Sequence, residues 1–431
     1  MGNFILDNIN DDGIDRRGFL KCMAWAGTGV LWVMSSGVLK SYGLSQVIDK
    51  GTGAIKQGMN IPRGDFSFVQ ISDSHIGFNK EANPDVVATL QAALAKINAM
   101  PAPPSFILHT GDLSHLSKPT EFDTLDQVLK GAKTDRVFFV PGEHDVLNDN
   151  GKQYLDRYGK GTKGDGWYSF DSHGVHFIGL VNVLNLKPGG LGLLGHDQLE
   201  WLEDDVKDLS ASTPVVVFAH MPLWSIYPQW GWGTDDSAQA LSYLKRFGSV
   251  TVLNGHIHQT VQKIEGNITF HTAMSTAFPQ PQPGTAPSPG PMKVPAEKLR
   301  SLLGLTSVNY VEGNHSLAII DTPLITAPAD SQIQEKQEIK EKRKPTESSG
   351  GTEVSIDNFS FTPQVLTVAV GTKVTWTNRD DVPHTVTGTE KRFASPVLDT
   401  DQQFSFTFTE AGSFDYFCSV HPHMTGKVIL Q

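Results

Sequence analysis

The sequence predicts two folded domains of different class: an α/β layered domain and, after a charged linker, a small all-β sandwich. Length is one reason, since 431 residues exceed what a single hydrophobic core usually organises. Pattern is another. From Asp65 to about Asp321, short apolar strands such as Ser67–Ile71 alternate with helix-length amphipathic stretches such as Val86–Met100. From Val354 to Leu430, apolar residues recur at every second position, as in Leu366–Val370 and Phe404–Phe408. The joint is the third reason: Gln332 to Gly351 is dense in Gln, Glu, Lys, Ser and Gly and carries a solvated charge run from Glu335 to Lys344.

Composition narrows the function classes. Hydrophobic residues at 39% and charged residues at 19% supply enough apolar mass for packed cores and exclude a disordered or fibrous chain. A net charge of −11, with no Lys/Arg stripe outside the linker, lacks the footprint of a nucleic-acid-binding surface; no nucleic-acid partner is expected beyond a nucleotide as substrate. Cys22 and Cys418 are too few to frame a disulfide scaffold, so Cys418 needs another explanation. Pro279 to Pro295, rich in Pro and Gly, reads as a long loop, either a lid or an insertion.

At the N-terminus, Asp15-Arg16-Arg17-Gly18-Phe19-Leu20-Lys21 precedes an apolar run, Cys22 to Leu39, broken by Gly27, Thr28, Gly29, Ser35, Ser36 and Gly37. Residues 1–43 thereby resemble a twin-arginine export signal. Paired arginines also suit the cytoplasmic flank of a membrane helix, and the run is near the lower limit of roughly 17 to 25 residues for spanning a bilayer. Ser41-Tyr42-Gly43 is only a small-x-small substitute for a cleavage site, so cleavage and retention as a membrane anchor both stay open. The resemblance implies the twin-arginine export machinery as a partner, a periplasmic or otherwise extracytoplasmic location, and folding with metal before export.

In the first domain, potential ligands cluster just past apolar strands. Asp73-Ser74-His75 closes the first strand, and residues two apart on an extended chain project to one side. Gly111-Asp112 follows Phe106–Leu108, Gly142-Glu143-His144-Asp145 follows Val137–Val140, His220 follows Val215–Phe218, and Gly255-His256-Ile257-His258 follows Val250–Leu253. Such clusters converge on one rim of a sheet, where open α/β sheets hold ligands.

With these motifs in this order, residues 62–325 resemble the calcineurin-like metallophosphoesterases. The resemblance implies a sandwich of two mixed sheets flanked by helices and a hydrolase acting on a phosphomonoester or phosphodiester. It implies a binuclear site in which Asp73, His75, Asp112 and His258 hold one ion, Asp112 bridges to a second ion, and Glu143, His220 and His256 complete that second site. His144 would act on the leaving group as the catalytic residue. Two close ions clamp the attacking and departing oxygens of an in-line displacement, and imidazole with carboxylate suits iron, manganese, zinc or cobalt rather than calcium. One position departs from the family pattern: Glu143 stands where the family has Asn, adding a negative charge and removing a hydrogen-bond donor. The carboxylate is expected to bind metal more strongly, favour a more highly charged ion and repel an anionic substrate.

Other histidines carry less. His173, His176, His196, His271 and His315 read as ordinary core or surface residues, while His109 and His115 are either partners that orient ligands or surface residues. The aromatic stretch Pro222–Trp232 either stacks on a substrate base or covers a headgroup, or simply packs on its own domain.

In the second domain, Cys418-Ser419-Val420-His421-Pro422-His423-Met424 offers thiolate, imidazole and thioether at three-residue steps, and His384 lies upstream in Val382–Val386. Two His, one Cys and a weak axial Met are the ligand set of a blue-copper centre. Residues 353–431 resemble the amicyanin, pseudoazurin and plastocyanin group of cupredoxins, which implies an all-β Greek-key sandwich with one copper held by His384, Cys418, His421 and Met424. His423 reads as a surface residue. Residues 326–352 are the expected linker.

These expectations combine as an exported metal-dependent phosphoesterase whose copper domain has a redox, regulatory or targeting role, with a redox partner protein among its expected partners. The alternative is a copper electron-transfer protein whose phosphoesterase-like domain is catalytically altered, with Glu143 as the mark of the change.

Overall fold

A computed structural model describes residues 66–134, 136–184, 186–310, 317–325 and 351–431, together with the backbone of three short strands outside these spans. Met1–Asp65 with Met100–Ala102 form one unit, and Phe66–Ala99 with Pro103–Gln431 form another. In the first unit the described elements are β1 (Val30–Ser35) and β2 (Val38–Gly43), paired antiparallel. Arg16 and Arg17, on which the export-signal expectation rests, lie outside the described residues. Among the described residues no helix is long and apolar enough to cross a membrane.

The second unit opens with a two-sheet sandwich. One sheet is built on β3 (Phe66–Ile71), β4 (Ile107–His109) and β5 (Val137–Phe139), which run parallel. The other contains β6 (Tyr168–Ser172), β7 (Val175–Gly179), β8 (Val215–Ala219), β9 (Val250–Asn254), β10 (Gln262–Glu265) and β11 (Ile268–Thr272) in the order β10-β11-β9-β8-β7-β6. β12 (Gly304–Tyr310) lies antiparallel to β3, and β13 (Ala318–Pro323) completes the first sheet in the order β13-β12-β3-β4-β5. Both sheets are mixed: antiparallel pairs at the two edges flank a parallel centre in the six-stranded sheet, and β12 and β13 add antiparallel to one side of the parallel β3-β4-β5 in the other.

The side-chain period of two explains the layers. In β8, Val216 and Phe218 face the other sheet and pack with Phe68, Phe106 and Phe177. Val215 and Val217 face outward, into a core shared with helices α4 (His196–Val206) and α5 (Ser237–Leu244). Ahead of these, α1 (Val86–Asn98), α2 (Pro119–Leu129) and α3 (Lys152–Tyr158) follow the strands of the first sheet. The start of α1 is fixed by Asp85, whose carboxylate accepts from the Ala88 amide at 2.9 Å. α6 (Ala296–Leu302) precedes β12.

Much of the expected linker, residues 326–346 with 350, lies outside the described residues, but its end is built into the second domain: β14 (Glu347–Ser349) pairs in parallel with β17 (Val365–Val368). β18 (Lys373–Asn378), β20 (Gln403–Thr407), β21 (Gly412–Phe417) and β22 (Thr425–Leu430) make most of two facing sheets. Short β15 (Glu353–Ile356), β16 (Phe361–Thr362) and β19 (Thr387–Gly388) complete them, around a core centred on Trp376 and Tyr416.

Candidate metal centres

The strand-end clusters of the first domain meet at one rim. Asp73 and His75 leave β3, Asp112 leaves β4, Glu143 and His144 sit on a 3-10 turn after β5, His220 leaves β8, and His256 and His258 leave β9. Donor atoms of Asp73, His75 and His258 lie within 4.8 Å of one another, and so do those of Glu143, His220 and His256. Asp112 stands between the two groups, its Oδ2 3.4 Å from both His75 Nε2 and His220 Nε2.

Backbone conformation at this rim is costly. Asp73, His75, Asp112, His256 and His258 all have positive φ, between 41° and 70°. Side chains other than glycine rarely adopt that region, and strain of this kind concentrates at functional sites. Glycine is required beside them for close approach: a Cβ on Gly142 would overlap Asp112, and one on Gly255 would overlap Ser72 and Asp73. Asp145 ties the loops together, its carboxylate accepting from the amides of Gly142, Leu113 and Ser114 at 2.9, 3.1 and 2.8 Å. Asp145 was not among the expected site residues, although it follows Glu143 and His144 directly.

Tautomers are fixed from behind. His220 Nδ1 donates to the Thr110 carbonyl at 2.7 Å and His258 Nδ1 to the Phe278 carbonyl at 2.6 Å, which leaves each Nε2 facing the cluster. His144 Nδ1 likewise donates to the His115 carbonyl at 2.8 Å.

The donor set demands positive charge. His220 Nε2 and Glu143 Oε2 are 2.9 Å apart, buried, and not aligned as a hydrogen bond. With one His220 proton held at Nδ1, so close an approach of Nε2 to a carboxylate requires positive charge at that point, either a second proton on the ring or a bound cation. Protonation states carry the same message. Burial disfavours a charged His220, but the Asp112 and Glu143 carboxylates outweigh it and push that imidazole well above its ordinary range. Burial and then the neighbouring Glu143 push Asp112 well above the usual carboxylate range. Carboxylates and imidazoles converging on one buried point fit transition ions, which would take the place of those protons.

His109 and His115 are both buried, not on the surface, which removes one of the two expected readings. His109 Nε2 meets Ser74 Oγ at 2.7 Å, and His115 Nδ1 meets His75 Nδ1 at 3.5 Å. Among the other histidines, His176 bridges Asp171 and Asp205, and His271 meets Asp321.

In the second domain Cys418 Sγ lies 3.7 Å from His384 Nδ1 and 3.8 Å from His421 Nδ1, and those two nitrogens are 3.2 Å apart. His384 Nε2 is 2.8 Å from Asp380 Oδ2, which orients the ring and directs Nδ1 at the thiol. The amides of Thr385 and His421 both point at Sγ from 3.4 Å. Burial raises the thiol's pKa, but the His384 contact and these amides outweigh it and hold it below the ordinary thiol value. Met424 is buried in the same core, and its carbonyl accepts from the Cys418 amide at 3.0 Å, closing the ligand loop. This set fits copper.

His423 is not a free surface residue, contrary to expectation. It lies against Gly231 of the first domain, and burial, then His256, depress its imidazole to about 4. The aromatic stretch is also resolved: Trp230 and Trp232 are buried with Ile257, and both line a cavity beside the first-domain cluster. Gln280, Pro289 and Pro291 place the Pro-rich loop on the same cavity.

Residues 66–260 match the calcineurin-like phosphoesterase family, and residues 349–431 match the copper-binding proteins of the plastocyanin/azurin family. The chain thus carries a calcineurin-like phosphoesterase domain and belongs, through its second domain, to the plastocyanin/azurin copper proteins. Amicyanin-alpha of Methylorubrum extorquens is 38% identical over 88 residues, covering 19% of this chain and 74% of that protein. The serine/threonine-protein phosphatase CPPED1 of Danio rerio is 28% identical over 229 residues, covering 46% of this chain and 71% of that protein. The 3',5'-cyclic-nucleotide phosphodiesterase alr5338 of Nostoc is 25% identical over 218 residues, covering 49% of this chain and 79% of that protein.

Proposed function

We propose that the protein is an exported binuclear phosphoesterase, residues 62–325, joined through residues 326–352 to a blue-copper domain, residues 353–431. The observation that carries the reading is the pair of donor groups, Asp73/His75/His258 and Glu143/His220/His256, with Asp112 between them. Iron, manganese or zinc would occupy these groups, and such ions supply electrophilic activation of a phosphoryl oxygen and of the attacking water. The twin-arginine resemblance supports work outside the cytoplasm.

The chain's own groups complete the reaction. His144, with its Nδ1 proton held by the His115 carbonyl and its imidazole depressed by burial to about 4, presents an unprotonated Nε2 that takes a proton from the attacking water before passing it to the departing oxygen. Asp145 holds the Asp112 and Glu143 loops in register. The copper donors are His384, Cys418, His421 and Met424. The phosphatase and cyclic-nucleotide phosphodiesterase relatives support both monoesters and diesters as substrates.

A second reading has its own observation. The cavity beside the first-domain cluster measures about 30 Å³ and is walled by Phe359, Val382 and His421 of the copper domain as well as by His75, Asp112, Glu143 and His256. That is room for little more than a water or two. A phosphoester enters only when the copper domain moves aside; if it does not move, the chain is an electron carrier on an altered phosphoesterase scaffold.

Metal analysis of full-length protein, with turnover of bis(p-nitrophenyl) phosphate and p-nitrophenyl phosphate, separates the readings. One copper and two further transition ions, with turnover abolished by chelation and restored by metal, support the first. Full metal content with no turnover of either ester supports the second, and a chain that takes up copper alone removes the binuclear site.

A further inference from the structure

The copper cluster of the second domain does not face solvent. His421 is 8% exposed, and its ring centroid is 6.3 Å from that of His144. Donor-type atoms of Glu143, His144 and His421 lie within 4.8 Å of one another, so one side chain belongs to the copper cluster and adjoins the binuclear cluster as well. The arrangement is held at several points around the rim. The Gly189 amide donates to the Pro422 carbonyl at 2.6 Å, Ser288 Oγ donates to Asn358 Oδ1 at 2.5 Å, Lys293 lies 3.7 Å from Asp381, and Leu147 packs against the copper-domain core. Phe359 lies edge-on to the rings of both His384 and His421, covering the copper cluster on the cavity side.

We propose that the copper exchanges single electrons with the ions of the binuclear site through the contact of His421 with His144 and Glu143, so that the two centres form one redox unit. The inference rests on reading both clusters as metal sites. Electron tunnelling decays exponentially with separation, so centres whose ligands Glu143 and His421 bring donor atoms within 4.8 Å of each other exchange faster than either does with a group beyond the protein surface. The cavity beside them is small, about 30 Å³, so little solvent must reorganise there when charge moves. Glu143 then has a purpose: an anionic donor in the place of a neutral one stabilises the more highly charged state of the ion it holds, and it sits on the copper side of that site. With iron as the redox-active ion the step balances as Cu(I) plus Fe(III) giving Cu(II) plus Fe(II). One electron passes, and no bond forms or breaks.

The test uses the full chain loaded with copper and iron, with a copper-and-zinc chain as control, without oxygen. Metal content is measured first: a chain that takes up copper but no iron sinks the binuclear reading and this inference with it. A one-electron reducing pulse is applied to the fully oxidised iron-loaded protein, and a one-electron oxidising pulse to the fully reduced protein, while the blue absorbance is followed. Whichever centre has the higher potential, one of the two pulses must be followed by a relaxation of the blue band, at a rate independent of protein concentration and absent with zinc. If iron is bound but neither pulse is followed by relaxation, or if the rate scales with protein concentration, the two centres do not exchange electrons within the chain and the inference falls while the metal assignment stands.

Discussion

Glu143→Asn gives the most direct test of the second ion's ligands. In the structure Glu143 Oε2 is 2.9 Å from His220 Nε2 and Oε1 is 2.9 Å from His256 Nδ1. Burial disfavours the carboxylate, yet His256 and His220 outweigh it and hold Glu143 well below the usual carboxylate range, so a full negative charge sits there. Asparagine is shorter by one carbon, about 1.5 Å, and neutral, so it cannot face both rings as the carboxylate does. Losing an outer-shell partner costs a metal site roughly 10- to 100-fold, and a direct donor should cost at least the upper figure, about 2.8 kcal/mol at 1.4 kcal/mol per decade. Asp73, His75 and His258 are untouched, so affinity for the first ion should change by no more than about threefold. Competition of copper-loaded full-length protein with a chromogenic zinc chelator resolves the two affinities. At saturating metal, KM for an anionic phosphodiester should fall, because one buried negative charge is gone. Unchanged affinity at the second site, or an equal loss at both, would refute the assignment of Glu143 to the second ion.

Asp112→Asn should release both ions together, because Asp112 lies 3.4 Å from a ring nitrogen of each group; metal content per chain checks this. His144→Ala should keep both ions and slow ester hydrolysis by roughly 10² to 10⁴, the usual contribution of a positioned proton donor, and metal loss in this variant would contradict its role. Cys418→Ser should abolish the blue absorption of the copper-loaded protein, and a persistent blue band would show that sulfur is not a ligand. His176 offers a test far from either cluster. Burial lowers its pKa, but Asp205 and Asp171, each 2.9 Å away, outweigh this and raise it above 6.5. Its contribution to stability is therefore fully present below about pH 6.5 and lost as pH rises through the folded-state value. Thermal midpoints of wild type and His176→Gln should converge over that rise, and parallel curves would sink the argument.

Much of this protein is legible without coordinates because its chemistry sits at strand ends. Apolar runs such as Val215–Phe218 and Val250–Leu253 read as strands, and each is followed at once by His220 or His256 and His258, so the donors could be named from order and spacing alone. The Cys418–Met424 run is still more explicit, because three donors on one short loop are adjacent in sequence as well as in space. Sequence also placed the change of period at the domain boundary, though not the use of Glu347–Ser349 as a strand, which a charged polar segment does not announce. What the chain order could not convey is distance between segments far apart in sequence. Asp145 became visible as the tie between loops only when its carboxylate was found on the Leu113, Ser114 and Gly142 amides. His423 looked like a solvated residue because nothing near it in sequence covers it; Gly231 does, nearly two hundred positions earlier. For the same reason, placing His421 against His144 was a decision of tertiary packing. Each histidine's local sequence specifies its own metal cluster, while the meeting of the two clusters depends on how the domain surfaces fit together.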